Sequence, residues 1–189
     1  MREKQGGRDE EARLFQELKQ DLPIGIYGSF YLEREVELIA LRDFLRSNGY
    51  LNVRISRDLD PRSNDDEYVK DALVDRELSE QLIDSSEVHV FVFFMPETKD
   101  PGHLNQSVSM ELERLYTLME FGFKHDQDLI ILLQNGLRKE IKGCFGSVCL
   151  GLLKKIARSY PCDIIDFKRL KSKHNAVFHF CYRCVEKRS

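Results

Sequence analysis

Val88-His89-Val90-Phe91-Val92-Phe93-Phe94-Met95 is the stretch whose reading decides the fold. Apart from His89 it is apolar at both odd and even positions. A strand with one wet face alternates, whereas a continuous apolar run bounded by turn residues marks a strand covered on both faces. Covered strands belong to parallel sheets, because the long crossovers that join parallel strands lie on the sheet faces. Pro96 to Asn105 follows with Pro, Asp and Gly, which is loop chemistry. Asn105-Gln106-Ser107-Val108-Ser109-Met110-Glu111 then opens a helical pattern, with Ser107 as its natural N-cap. The segment is therefore strand, loop and helix start, the place where open α/β sheets put ligand sites.

The same grammar extends in both directions. Residues 8–21 carry Leu14, Phe15 and Leu18 at helical spacing and predict a short lead-in helix. Pro23 to Gly28 reads as a first strand ending in a tight turn. Glu33 to Ser47 reads as a helix with Val36, Ile39, Ala40, Phe44 and Leu45 on one face, ended by Asn48-Gly49. Leu51 to Ile55 alternates as a second strand, and Arg57 to Glu67 is a polar loop. Tyr68 to Ser86 is a helix, Ser107 to Phe123 another, and Asp128 to Gln134 a fourth strand closed by Asn135-Gly136. Leu137 to Tyr160 reads as mainly helical with a break around Gly143 to Gly146. Cys162 to Phe167 reads as a fifth strand and His174 to Lys187 as a closing helix, with a strand as the alternative for that last segment.

Strands alternating with helices of crossover length predict a parallel sheet. The expected architecture is α/β: a three-layer, flavodoxin-like, doubly wound sheet of five strands in order 2-1-3-4-5. Residues 1–21 are expected as a lead-in helix and residues 22–189 as a single α/β domain. In this order the crevice lies between strands 1 and 3, so the turn Gly28-Ser29-Phe30-Tyr31 and the loop from Thr98 to Ser107 should build it.

Composition narrows the function classes. A chain of 189 residues, 42% hydrophobic and 32% charged, suits one domain with a proper core. A formal net charge of −3 does not point to nucleic acid. No apolar run is long enough to span a bilayer, and Met1 to Glu11 lacks the apolar core of a secretory signal. The expectation is a cytoplasmic protein without a membrane partner. Five cysteines at irregular spacing make no disulfide framework. Cys181-x-x-Cys184, with His174 and His179 nearby, matches no common zinc module and reads as part of a packed amphipathic element, so no metal is expected.

Three sets of residues can carry chemistry. In the first, Gly28 lets backbone N–H groups approach an anion and Ser29 can donate to a phosphate or sugar hydroxyl. Gly28 reads equally as a plain turn glycine, Phe30 and Tyr31 either stack on a base or pack onto the following helix, and Tyr27 or Phe30 would face the base. The second set is acidic. Asp58 directly follows the second strand and can rim the crevice against a ribose hydroxyl. Asp84 stands near a helix C-terminus, where an acid needs a specific partner, and Asp60, Asp75, Glu80 and Glu87 read as caps and solvated faces. The third set is Glu111 with Asn105, His103 and Met110. A half-buried glutamate facing an electrophilic sugar carbon is a nucleophile or an oxocarbenium stabiliser. Asn105 would orient it and Met110 would exclude water. Glu111 also reads as a first-turn acid that complements the helix dipole. No phosphate-loop, nucleophile-elbow or zinc-protease motif is present.

The succession "YGSF", "LIDSSEVHVFVFF", "NQSVSMELERL" and "DLIILLQNG" resembles the nucleoside 2-deoxyribosyltransferase-like proteins over residues 22–136. That resemblance implies a flavodoxin-like fold and a D-x-G-x-x-x-E loop whose glutamate attacks the sugar carbon of an N-glycosidic bond. Glu111 matches the glutamate, and Gly28 matches the small residue after the first strand. Asn105 stands where the family has its acid, and Ser107 where it has glycine. The family's base-binding acid has three candidates here, Asp75, Glu80 and Asp84. The layout is also similar to Toll/interleukin-receptor domains, some of which cleave the nicotinamide N-glycosidic bond of NAD with a comparably placed glutamate. Both resemblances imply a carboxylate working at C1′ of a ribosyl group, on a nucleoside or nucleotide, without a cofactor. The expected site is Glu111 and Asn105 for catalysis, with Tyr27, Gly28, Ser29, Phe30, Asp58, Asp84 and Ser107 against substrate. Two further readings stand beside this one. One is a nucleotide-binding module without turnover. The other is a signalling or interaction domain, a homodimer through Ser107 to Phe123 or through the C-terminal region.

Overall fold

A computed structural model of the chain describes residues 2–31, 33–60, 72–97, 104–137 and 146–189. Its elements run α1 (Arg2–Asp21), β1 (Ile24–Tyr27), α2 (Glu33–Ser47), β2 (Val53–Arg54), α3 (Ala72–Ser85), β3 (Val88–Phe93), α4 (Gln106–Glu120), β4 (Asp128–Gln134), α5 (Gly146–Ser159), β5 (Cys162–Phe167) and α6 (His174–Arg188). Five strands pair in parallel in the order β2-β1-β3-β4-β5, the expected flavodoxin-like arrangement. The polar loop from Pro61 to Glu67, the loop from Thr98 to His103, and Cys144 lie outside the described residues.

The continuous apolar runs are explained by two cores, one on each face. Ile24, Ile26, Val88, Val90, Val92, Ile130 and Leu132 point to one side, where α2 and α6 contribute Leu38, Leu41, Leu45, Val177, Phe180 and Val185. Tyr27, Phe91, Phe93, Leu129, Ile131 and Leu133 point to the other, against Leu82 and Ile83 of α3, Val108, Leu112 and Leu115 of α4, and Leu153 and Ile156 of α5. Side chains alternate faces along a strand, so each parity must be apolar to serve its own core. Each fully buried aliphatic or phenylalanine side chain is worth about 1.5–3 kcal/mol.

Three expectations change. The lead-in helix begins at Arg2 rather than residue 8. Its first turn holds Arg2, Glu3, Lys4 and Gln5, good helix formers that carry no apolar period to detect. α1 packs on α6, with the Phe15 and Tyr182 ring centroids 5.0 Å apart. The second strand is two residues long rather than five. Its backbone is diverted: the Asp58 carboxylate accepts the Ile55 N–H at 2.9 Å and Arg46 donates to the Val53 carbonyl at 3.0 and 2.6 Å. A 3-10 turn, Ser56–Leu59, takes over at once. Finally, α4 starts at Gln106 with Asn105 in the cap position, so Ser107 is an exposed first-turn residue and not the N-cap. The segment His174–Arg188 is a helix, and Cys181 and Cys184 lie on its buried face as free thiols. Burial pushes the Cys184 thiol up to about 12. Among the described residues no helix is long and apolar enough to cross a membrane.

Candidate functional site

The order 2-1-3-4-5 reverses direction between β1 and β3. The chain leaves β1 toward α2, which shares a core with α6. It leaves β3 toward α4, on the opposite face with α3 and α5. The two connections diverge and leave a crevice at the carboxyl ends. Gly28 and Ser29 border it from β1, and Phe94 to Glu97 from β3.

Gly28 is there for packing. A Cβ at this position would meet both δ carbons of Leu38 at 2.9 Å and the Val92 carbonyl oxygen at 3.3 Å. Leu38 fills the space that the sequence reading left for an anion. Ser29 is buried, and Phe30 is half-buried with Arg57 over its ring at 5.9 Å. Arg34, one residue into α2 and only 5% exposed, ties the two sides of the crevice together. Its guanidinium lies 5.2 Å from the Phe94 ring, donates to Glu97 at 2.9 Å and pairs with Glu37 at 3.4 Å.

Glu111 lies on α4 facing α3 and is 8% exposed. Ser79 of α3 donates its hydroxyl to Oε1 at 2.7 Å. Oε2 is buried and has no hydrogen-bond partner among the described residues. Burial in this seam pushes the carboxyl up to about 7, and the Ser79 hydrogen bond opposes that shift. One turn further along α4, Arg114 pairs with Glu80 at 3.3 Å and approaches Asp84 at 3.8 Å, while its Nε is also buried and unpartnered. Glu111 thus sits in the seam between two helices, neither solvated nor fully paired.

Several expected partners of Glu111 are elsewhere. Asn105 does not orient it: its side-chain amide donates to the Phe94 carbonyl at 2.7 Å and accepts the Phe94 N–H at 3.0 Å. That pair of bonds closes the open end of β3, as a neighbouring strand would. Residues six apart on a helix lie far round from each other, so Asn105 could not have shared a face with Glu111. Met110 is 60% exposed and excludes no water from Glu111, since adjacent helical residues point about 100° apart. Asp58 is spent on Arg42, Arg46 and the Ile55 N–H, not offered to a ligand. Asp84 is at the wrong end of the sheet: α3 runs antiparallel to the strands, so its last turn lies beside the beginning of β3, not its carboxyl end. Its partner is Arg114. Tyr27 is 1% exposed and faces no base. Its ring stacks on Phe91 with centroids 4.5 Å apart, and its hydroxyl meets His89 Nδ1 at 3.0 Å. His89 Nε2 in turn meets Gln127 at 2.8 Å. Desolvation holds His89 neutral, its pKa pushed down to about 3, and the Gln127 hydrogen bond opposes that shift.

Ser79, Arg34 and Arg114 carry no signal in the sequence. Each is defined by what it meets across an interface between elements distant in the chain. No family model matches the chain, and neither does any curated protein or solved structure.

Proposed function

We propose that this chain breaks or transfers the N-glycosidic bond of a nucleoside or nucleotide, with Glu111 as the carboxylate that works at C1′. The observation that carries the reading is the state of Glu111, buried, held by one hydroxyl, and left with a second oxygen unpaired. A carboxylate held so is costly to a fold. Raising its pKa from 4.5 to about 7 corresponds to about 3 kcal/mol of stability at pH values above 7. Strongly perturbed groups of this kind concentrate where chemistry needs them. The carboxylate form is the nucleophile, and a midpoint near neutrality provides both forms at working pH. Oε2 makes no solvent contact in the resting chain. Reaction at Oε2 therefore requires the α3–α4 seam to open.

The test is a product assay. Wild type and Glu111→Gln are incubated with nucleosides, nucleoside monophosphates and NAD, and free base is followed by chromatography. The expected outcome is base release by wild type and a loss of about a thousandfold or more in the variant, with ligand binding retained. Undiminished release by Glu111→Gln overturns the mechanism. Asn105 favours a second reading, a nucleotide-binding or Toll/interleukin-receptor-like interaction domain. Its amide is engaged by Phe94, where the resembled family carries an acid. That reading gains if nucleotide raises the melting temperature and no product forms.

A further inference from the structure

The two oxygens of Glu111 are not equivalent, and the difference assigns a role to a residue on another helix. This inference rests on the function proposed above and goes one step further. We infer that Ser79 is the positioning residue of the site: its hydroxyl fixes Oε1 and so leaves Oε2 as the oxygen that reacts. The bond from Ser79 Oγ to Oε1 is 2.7 Å long, the normal length for a hydroxyl donor, and it engages that oxygen. Oε2 is buried and unpartnered, so its lone pairs are the ones left for a sugar carbon.

In the resulting step Oε2 of the carboxylate forms a bond to C1′ as the C1′–N bond breaks. The base leaves with the electron pair and takes up a proton from water. Water, or the nitrogen of an acceptor base, then attacks C1′ and returns the carboxylate, losing its proton to solvent. No oxidant, metal or cofactor enters the balance. A hydroxyl that donates to a carboxylate favours the charged form, so Ser79 also sets the pH range in which the nucleophile is present.

The charged and titratable groups around Glu111 come from each packed element. Tyr27 on β1 is a buried phenol held well above its usual value, chiefly by desolvation, with the Glu111 charge adding to the shift. α3 presents Glu80 and Asp84, and Glu80 is engaged by Arg76 at 2.9 Å and by Arg114. α4 itself presents Arg114. None of these reaches Oε1 or Oε2 within hydrogen-bond distance, and Ser79 alone among the described residues does.

The experiment compares wild type, Ser79→Ala and Ser79→Thr by two measurements. One is the pH profile of base release. The other is the titration of Glu111 itself, by carbon NMR of protein labelled at the glutamate carboxyls and assigned with Glu111→Gln. In Ser79→Ala the expected result is a titration midpoint raised by about one pH unit. Base release should then fall below wild type at every pH, with the deficit about tenfold larger below pH 6 than at pH 9. Ser79→Thr, which keeps the hydroxyl, should restore both. A deficit of equal size at every pH, or an unmoved Glu111 midpoint in Ser79→Ala, overturns the positioning role. Should Ser79→Ala fail to fold, Ser79→Cys, with its weaker donor, should show an intermediate midpoint, and an unmoved one overturns the role equally. Glu111-dependent release with an unshifted profile removes Ser79 and leaves the proposed reaction standing. No base release from any substrate removes the reaction, and with it the role given to Oε2, whatever the titration shows.

Discussion

Asn105 shows how a single residue can look catalytic in sequence and prove architectural. It precedes the candidate glutamate by the family spacing, yet both ends of its amide are taken by Phe94. Asn105→Asp is the informative substitution. It would restore the family's acid and place a negative charge at a helix N-terminus, which is worth about 0.3–1 kcal/mol in favour. It would also replace the Nδ2 donor by an oxygen facing the Phe94 carbonyl, leaving buried acceptors opposed at a cost of about 1–3 kcal/mol. The loss exceeds the gain. The expected outcome in urea titration is a net destabilisation of Asn105→Asp by about 1–2 kcal/mol. A variant as stable as wild type would show that the β3 end does not depend on this amide. Glu111 itself was legible, because an acid early in the helix after a buried central strand has a predictable location. Ser79 was not, because nothing in a helix sequence says which residue of another helix it will meet.

Among the elements, α2 and β1 show how close approach is written into a glycine. Gly28 leaves the space in which both δ carbons of Leu38 lie, and Leu38 is itself fully buried with little room to retreat. Gly28→Ala is expected to cost about 1–3 kcal/mol through overpacking. Leu38→Ala should cost about 2–5 kcal/mol on its own by leaving a cavity. The two changes share one space, so the double variant should be more stable than the sum of the single losses, by at least about 0.5 kcal/mol in a double-mutant cycle. Strict additivity would mean that Gly28 is kept for something other than Leu38, such as a ligand. The long central strands β3 and β4 were legible to within two residues, since a short run that is apolar at both parities needs a core on each of its faces. β2 was legible only in part. An edge strand is held by neighbours such as Arg46 and Asp58, and their claim on its backbone is invisible in its own alternation.

For the whole molecule, two buried groups shape stability against pH, with opposite signs. His89 is held neutral, its pKa pushed down to about 3 by desolvation. Between about pH 3 and 6.5 the unfolded chain binds the extra proton, so this group's contribution is complete above 6.5 and is lost as pH falls toward 3. Glu111 is pushed up to about 7 by desolvation. Between about pH 4.5 and 7 the folded chain keeps the extra proton, so stability falls as pH rises through that window. Each group alone gives a slope of about 1.4 kcal/mol per pH unit. Together they should nearly cancel from about pH 4.5 to 6.5 and leave a decline between about 6.5 and 7. Glu111→Gln removes one side of the balance. Its melting temperature should therefore rise steadily with pH up to about 6.5, and at pH 8 it should be more stable than wild type by about 2–3 kcal/mol. A wild-type-like pH profile in that variant would mean that Glu111 is ionised freely in the folded chain.

The sequence by itself determined the class of the fold, the order of its elements and a single carboxylate worth testing. It could do so because strand burial, helical period and turn chemistry are local patterns, read from residues next to one another. Only the tertiary structure decided what each polar side chain is for. Asn105 went to the end of β3, Asp58 to two arginines, Asp84 to Arg114 near the amino ends of the strands, and Ser79 to Glu111. Those outcomes depend on distances between elements far apart in the chain. They are set by how two cores pack against one sheet, and no neighbouring residue carries that information.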